Sequence, residues 1–152
     1  MRSVESVEQL WESRAEIMQR NKRHRVEKLF ETFLEMVENL ARGEEYDPDR
    51  MRSSPWFQYI RQYYQHWQEE PLSERADREL RERMQDGIDL FHDIKQNGMR
   101  DPLEMFMDRG KRNLILGNRR LVILHVLGIP EAEVLTHASF EAYCESQEAK
   151  AR

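Results

Sequence analysis

Apolar residues in the first 97 positions recur every three or four residues, which is the spacing of amphipathic helices. The first stripe contains Val4, Val7, Leu10, Trp11, Ile17 and Met18. The second contains Val26, Leu29, Phe30, Phe33, Leu34, Val37 and Leu40. Gly43 and the Asp47-Pro48 pair then interrupt the periodicity, so the pattern predicts two helices followed by a break.

Aromatic residues dominate the next predicted helix, which Ser54 caps and Pro55 opens. One face of this helix carries Trp56, Ile60, Tyr63 and Trp67. Aromatic residues at helical spacing usually pack in a core, and this interpretation is favoured. The alternative is a surface for a protein partner formed by Trp56, Tyr63 and Trp67.

A long helix is predicted from its cap Ser73 to about Asn97, where Asn97-Gly98 is a normal helix stop. Its first half has acidic residues four positions before basic ones, a pattern that stabilises exposed helices. These pairs are Glu74/Arg78, Asp77/Arg81 and Glu79/Arg83.

After Gly98, short apolar runs alternate with turn residues, which is typical of a small sheet. Residues 103–107 and 113–116 read as a hairpin, and residues 133–136 as a third strand. The run from Asn118 to Leu127 could be a strand or a buried helix by its periodicity; a helix that Gly128 stops is favoured. Ser139 can cap a last short helix through Tyr143.

These patterns together predict an α+β fold, in which a helical N-terminal extension packs on a small mixed sheet. The predicted extension covers residues 1–70, and the predicted α+β core covers residues 71–152. A sheet of so few short strands buries little by itself, so one compact unit is expected.

The composition limits the classes of partner and the compartment. Of the 152 residues, 29 are acidic and 24 basic, so the net charge is −5 and weak or no nucleic-acid binding is expected. The basic run from Arg20 to Arg25 is interpreted as a solvated segment. A single cysteine, no signal peptide and no long apolar stretch predict a cytoplasmic protein without a membrane segment. The scattered histidines predict no metal site.

Candidate chemistry concentrates at Gly117-Asn118-Arg119-Arg120, which opens the central apolar run. Free backbone N–H groups and the positive end of the helix dipole would lie beside two guanidinium groups there. Gly117 would let a ligand approach the backbone closely. This arrangement predicts a pocket for phosphate or carboxylate, with Arg119 facing the ligand and Arg120 supporting it.

Residues 88–137 resemble the N-terminal domain of the ParB family, within the wider ParB/sulfiredoxin-like fold. The matching segments are residues 94–103, 114–121 and 127–134. They correspond to a helix ending in Asn-Gly before a proline-led strand, a Gly-x-Arg-Arg box after the next strand, and a Leu-Gly pair before another strand. The matching region, residues 88–137, covers about a third of the chain.

The resemblance implies nucleotide binding, with CTP or ATP/ADP as the ligand. The binding residues it points to are Gly98, Arg100, Pro102, Gly117, Asn118, Arg119 and Arg120. The chain departs from the ParB pattern because a second Asn-x-Gln-Arg box and a helix-turn-helix domain are missing after Val134. Asn118 also replaces the catalytic cysteine of sulfiredoxins.

The resulting prediction is a ParB-like module that binds a nucleotide or another phosphate-bearing small molecule. One alternative is a nucleotide-dependent kinase or phosphohydrolase of the same fold, for which Asp101 and Glu104 are carboxylates near the box. The other is a protein-interaction module with a degenerate pocket. The sequence identifies no catalytic residue and leaves open whether the chain is an enzyme.

Overall fold

The computed structural model describes residues 1–17, 24–68, 74–116 and 118–152, and it has the predicted α+β class. In chain order the elements are β1 (Arg2–Ser6), α1 (Val7–Glu12), α2 (Arg14–Ile17), α3 (His24–Ala41), α4 (Pro48–Ser53), α5 (Pro55–Gln68), α6 (Glu74–Asn97), β2 (Leu103–Asp108), β3 (Lys111–Leu116), α7 (Asn118–Val126), β4 (Glu131–His137) and α8 (Phe140–Ala151).

The chain divides into two compact units. The sheet unit comprises Met1–Lys22 and Asn97–Arg152, and the helical unit comprises Arg23–Gln96. This grouping differs from the predicted division into residues 1–70 and 71–152, because β1 and α1 belong with the sheet and α6 with the other long helices. That the chain forms one compact unit stays a prediction.

The four strands of the sheet unit lie in the order β1-β4-β2-β3. β1 is antiparallel to β4, β4 is parallel to β2, and β2 forms the predicted antiparallel hairpin with β3. The parallel pairing of β2 and β4 needs a crossover, and β3 and α7 supply it. The sheet is therefore mixed, and α7 lies on the connection between its two central strands.

Helix α7 confirms the helical interpretation of the central apolar run. Its residues Leu121 to Leu124 are all buried, so this helix is covered on more than one face. Gly128 has a φ of 69° and its N–H donates to His125 O at 3.1 Å, while Ile129 N–H donates to Leu124 O at 3.0 Å. These two bonds form a Schellman motif, which explains why the helix ends there.

The core of the sheet unit is built from β2, β4, α7 and α1. Leu103 and Met105 of β2 and Val134 of β4 are fully buried, as are Leu121 of α7 and Val7 of α1. Helix α1 packs beside α7. The N-terminal segment thus contributes both a strand and a helix to the unit that holds the candidate site.

Members of the predicted stripes are buried among the described side chains of the helical unit, while the side chains of Val26, Leu29 and Phe30 lie outside the described residues. Phe33 and Val37 of α3 and Phe91 of α6 are buried. Trp56 of α5 is 3% exposed and its ring lies 5.3 Å from that of Phe33, so the core interpretation is confirmed for this residue. The side chains of Tyr63 and Trp67 lie outside the described residues. Ser54 caps α5 as predicted, because its Oγ accepts from Phe57 N–H at 3.2 Å.

The prediction that Val4 lies on the first helical stripe is wrong. Residues Arg2–Ser6 form β1, and Val4 is 68% exposed. Pairing with β4 satisfies the backbone groups on one side of this edge strand, and the helix begins only after Ser6, whose side chain caps it. The segment around Asp47 also differs from a simple break, because Asp47 caps the short helix α4.

A bidentate salt bridge links the two edge strands of the sheet. Arg112 of β3 donates from both terminal nitrogens to the two carboxylate oxygens of Glu5 of β1, each at 2.7 Å. The hydrogen bonds from Arg112 lower the pKa of the Glu5 carboxyl, and desolvation opposes that shift. A lowered pKa means that the pair stabilises the folded state when Glu5 is ionised.

We expect Glu5→Gln to lower the free energy of unfolding by about 1 kcal/mol at pH 7, since the pair is bidentate but partly exposed. The contribution is fully present above the ordinary glutamate pKa of about 4.3 and is lost as the pH falls through the lowered pKa of folded Glu5. Urea unfolding from pH 7 to pH 3 measures the difference from wild type. Glu133→Gln is the control, because the Arg2–Glu133 pair is more exposed. If both variants lose the same free energy of unfolding, the stabilising role assigned to the Glu5–Arg112 pair is contradicted.

Candidate functional site

The predicted box lies at the connection between β3 and α7. β3 ends at Leu116 and α7 begins at Asn118, while Gly117 lies outside the described residues. The first turn of α7 carries no acidic residue. Two arginines therefore stand at a helix start whose N–H groups and dipole both favour an anion.

Arg120 is held by the backbone that leads into β2. Its Nη1 donates to Asp101 O at 2.7 Å and to Pro102 O at 3.1 Å. Burial lowers the pKa of the Arg120 guanidinium, while the negative charges of Asp101 and Glu104 act in the opposite direction. This arginine is thus a half-buried cation that fixes the segment before β2 against the start of α7.

Arg119 has a different environment although it is the next residue. Its side chain is exposed, and it makes no hydrogen bond or ion pair with any residue in the described part of the chain. Successive helical residues point about 100° apart, which separates the two guanidinium groups. Asn118 is partly buried, and its Oδ1 has no hydrogen-bond partner among the described residues.

The other predicted binding residues lie on the segment that Arg120 holds. Gly98 ends α6 with a φ of 76°, as the sequence predicted for a helix stop. Arg100 is exposed and takes part in an interaction of its own, and Pro102 immediately precedes β2. The structure therefore brings Pro102 directly to Arg120.

A buried polar cluster lies beside this segment. His137 Nε2 of β4 is 3.1 Å from Glu104 Oε1 of β2, and both side chains are about nine-tenths buried. The Tyr143 ring of α8 packs edge-on to His137 at 5.4 Å, and burial raises the pKa of its hydroxyl. Glu104 also contributes to the electrostatic field at Arg120, so cluster and box are electrostatically connected.

The sequence indicates Glu104 as a carboxylate near the box, but it does not indicate the contact with His137. The pairing depends on the parallel register of β2 and β4, which places Phe106 opposite His137. No local signal in the sequence indicates that register. The partial signal is Glu104, a charged residue inside the otherwise apolar run of residues 103–107.

His125 belongs to a separate stack in the sheet unit. Its ring lies 4.0 Å from that of Trp11 in a parallel arrangement, and its Nδ1 is 2.9 Å from Glu8 Oε1. Arg14 lies over the Trp11 ring at 4.5 Å. These contacts explain His125 as a boundary residue that joins α7 to α1.

Within the described residues, no group of three or more histidine, cysteine, aspartate or glutamate side chains is placed to hold a metal ion. None of the described helices combines the length and apolar character that crossing a membrane requires. The basic run from Arg20 to Arg25 lies largely outside the described residues.

Comparison of the chain with protein-family models, with curated proteins and with solved structures finds no match. The fold and the geometry at the start of α7 define an α+β protein with an arginine pair at the start of a buried helix.

Proposed function

We propose that the chain is a cytoplasmic, ParB-like module that binds a nucleotide or another phosphate-bearing small molecule at Gly117 to Arg120. The observation that carries this proposal is the contrast between the two arginines. Arg120 is half-buried and bonded to the carbonyl groups of Asp101 and Pro102, whereas Arg119 is exposed and has no partner among the described residues.

The contrast suits an anion site for physical reasons. A guanidinium already bonded to two carbonyl oxygens is restrained, so it positions the backbone instead of sampling solvent. An unpaired guanidinium at a helix start can offer two parallel N–H donors to a phosphate, and the helix dipole acts in the same direction. Arg119 is therefore assigned to the ligand and Arg120 to the support of the pocket.

The ligand class follows from the charge of the site and from the ParB resemblance. Phosphate accepts from planar guanidinium forks and from backbone N–H groups at helix starts. The ParB-like order of the segments favours CTP or ATP/ADP over bare phosphate. No metal ligand set is needed for this binding mode.

The location of Glu104 favours an enzyme of the same fold as a second candidate. This carboxylate is buried, lies 3.1 Å from His137 and contributes to the field at Arg120. A carboxylate oriented by a histidine beside a nucleotide could assist phosphoryl transfer as a general base. Release of phosphate from ATP or CTP by wild type, abolished in Glu104→Gln, would support a kinase or phosphohydrolase over a binding module.

The test of binding is a thermal-shift screen of nucleoside mono-, di- and triphosphates. A ligand at 100 times its Kd stabilises the folded state by about 2.7 kcal/mol, which corresponds to a rise of about 5–10 °C in Tm for a chain of this size. We expect a triphosphate to give the largest rise, because it presents the most charge to Arg119. Absence of any rise with all nucleotides and with pyrophosphate would refute the proposal.

A further inference from the structure

A second concentration of arginines lies in the helical unit, which does not include the box on α7. A cleft of about 500 Å³ is formed where the end of α4 and one side of α5 meet the first turns of α6. Its lining includes Arg52, Arg61, Arg78 and Arg81, together with Glu74 and Asp77. The volume lies within the range of small-molecule sites.

The cations of this cleft are only partly neutralised. Asp77 is shared by two of them, with its Oδ2 at 3.3 Å from Arg81 Nε and 3.7 Å from Arg52 Nη2. The Asp77–Arg81 pair confirms one of the acid-before-base pairs predicted for this helix. The corresponding Glu74–Arg78 pair is not formed, and neither side chain has a partner among the described residues.

Arg61 of α5 is likewise exposed and has no partner in the described part of the chain. Arg61 and Arg78 come from different helices and line the same cleft. Two unpaired guanidinium groups on one cleft raise each other's electrostatic energy, and an anion between them would relieve this repulsion. Phe57, which is 2% exposed, forms an apolar part of the lining.

We propose that this cleft is a second anion site, which binds a compact polyphosphate through Arg61 and Arg78. Multiple phosphate charges match the two guanidinium groups that have no partner among the described residues, while Asp77 forms ion pairs with the other two arginines of the lining. A long nucleic acid fits less well, because Glu74 and Asp77 line the same cleft and the whole chain carries a net charge of −5.

The test is calorimetric titration of the full chain with inorganic pyrophosphate. We expect Arg61→Gln and Arg78→Gln each to weaken binding by about tenfold, the value of one charge-assisted hydrogen bond pair. Glu74→Gln should tighten binding by about two- to threefold, because it removes a negative charge from the cleft without breaking any contact in the described part of the chain. Arg83→Gln, which removes the same charge from α6 outside the cleft lining, should leave affinity within about twofold of wild type.

Four outcomes would overturn the inference. Pyrophosphate could fail to bind, or it could bind Arg61→Gln and Arg78→Gln as tightly as wild type. A single-stranded oligonucleotide could compete at lower concentration than pyrophosphate, which would make nucleic acid the partner. Loss of binding in Arg119→Gln but not in Arg61→Gln or Arg78→Gln would overturn it too, because pyrophosphate would then occupy the box on α7.

Discussion

Arg119→Ala should weaken binding of the best nucleotide by about ten- to a hundredfold while leaving the Tm of the free protein unchanged. The lost interaction is a charge-assisted pair of hydrogen bonds to phosphate, worth about 1.5–3 kcal/mol. Stability should not change because the Arg119 side chain is exposed and has no partner among the described residues. Calorimetric titration and thermal unfolding of each variant measure the two effects separately.

Arg120→Ala is the matched comparison, since it removes the same side chain from the next position. It breaks the bonds to the carbonyl groups of Asp101 and Pro102, so the Tm of the free protein should fall. Arg119→Lys should restore only part of the affinity, because lysine lacks the planar fork of donors. Gly117→Val should block the ligand by adding a branched side chain where the backbone must come close.

The opposite pattern would contradict this division of roles. If Arg119→Ala and Arg120→Ala both bind nucleotide like wild type, the pocket does not lie at the start of α7. If Arg119→Ala lowers the Tm and leaves affinity intact, the residue is structural. Failure of the wild type to bind any nucleotide would leave the interaction-module alternative to replace the proposal.

Deletion of residues 1–12 should abolish cooperative unfolding of the sheet unit. The deletion removes β1 and α1, and with them the buried side chains of Val7, Leu10 and Trp11. Each loss costs about 2–5 kcal/mol, and the sum is comparable with the total stability of a domain, about 5–15 kcal/mol. Amide spectra of the shortened protein should show collapsed dispersion for β2, β3 and β4.

Val4→Thr is the control for this deletion. Val4 lies on the edge strand and is 68% exposed, and threonine favours strands as valine does, so the Tm should change little. Sharp, dispersed amide signals from β4 in the shortened protein would contradict the prediction. They would mean that the remaining strands form a core without the N-terminal segment.

Local signals explain the elements that the sequence predicted well. The cap of Ser54, the asparagine-glycine stop at Gly98 and the glycine stop at Gly128 each act within one or two helical turns. Ser139 caps α8 in the same way, with its Oγ accepting from Ala142 N–H at 3.0 Å. Such features depend on neighbouring residues alone, which is why a single sequence indicates them.

Features that depend on distant pairing were not predictable in the same way. β1 has the short sequence Arg-Ser-Val-Glu-Ser, which carries one apolar residue, and its strand state depends on β4. The Glu104–His137 contact depends on the register of parallel strands. The expected Glu74–Arg78 pair is not formed, since weak exposed pairs compete with the other charges around the cleft.

The contrast between Arg119 and Arg120 depends partly on local sequence and partly on tertiary structure. The sequence placed both residues at a helix start and assigned different roles to them, because successive helical positions diverge. The bonds of Arg120 to the backbone before β2 depend on tertiary structure and were not predicted. Ligand identity depends on contacts that neither the box nor the fold class specifies.

The pairing of β1 with β4 also has a consequence for the order in which the chain folds. The N-terminal ammonium of Met1 donates to Thr136 O, a contact between residues 135 positions apart. Closing so long a loop loses conformational entropy before any stabilising contact has formed, so we expect this pairing to form late. The residues between these strands include the whole helical unit, whose contacts are more local. During synthesis β1 emerges before β4 and cannot pair until β4 has been made, so we expect the sheet unit to reach its native state after the helical unit.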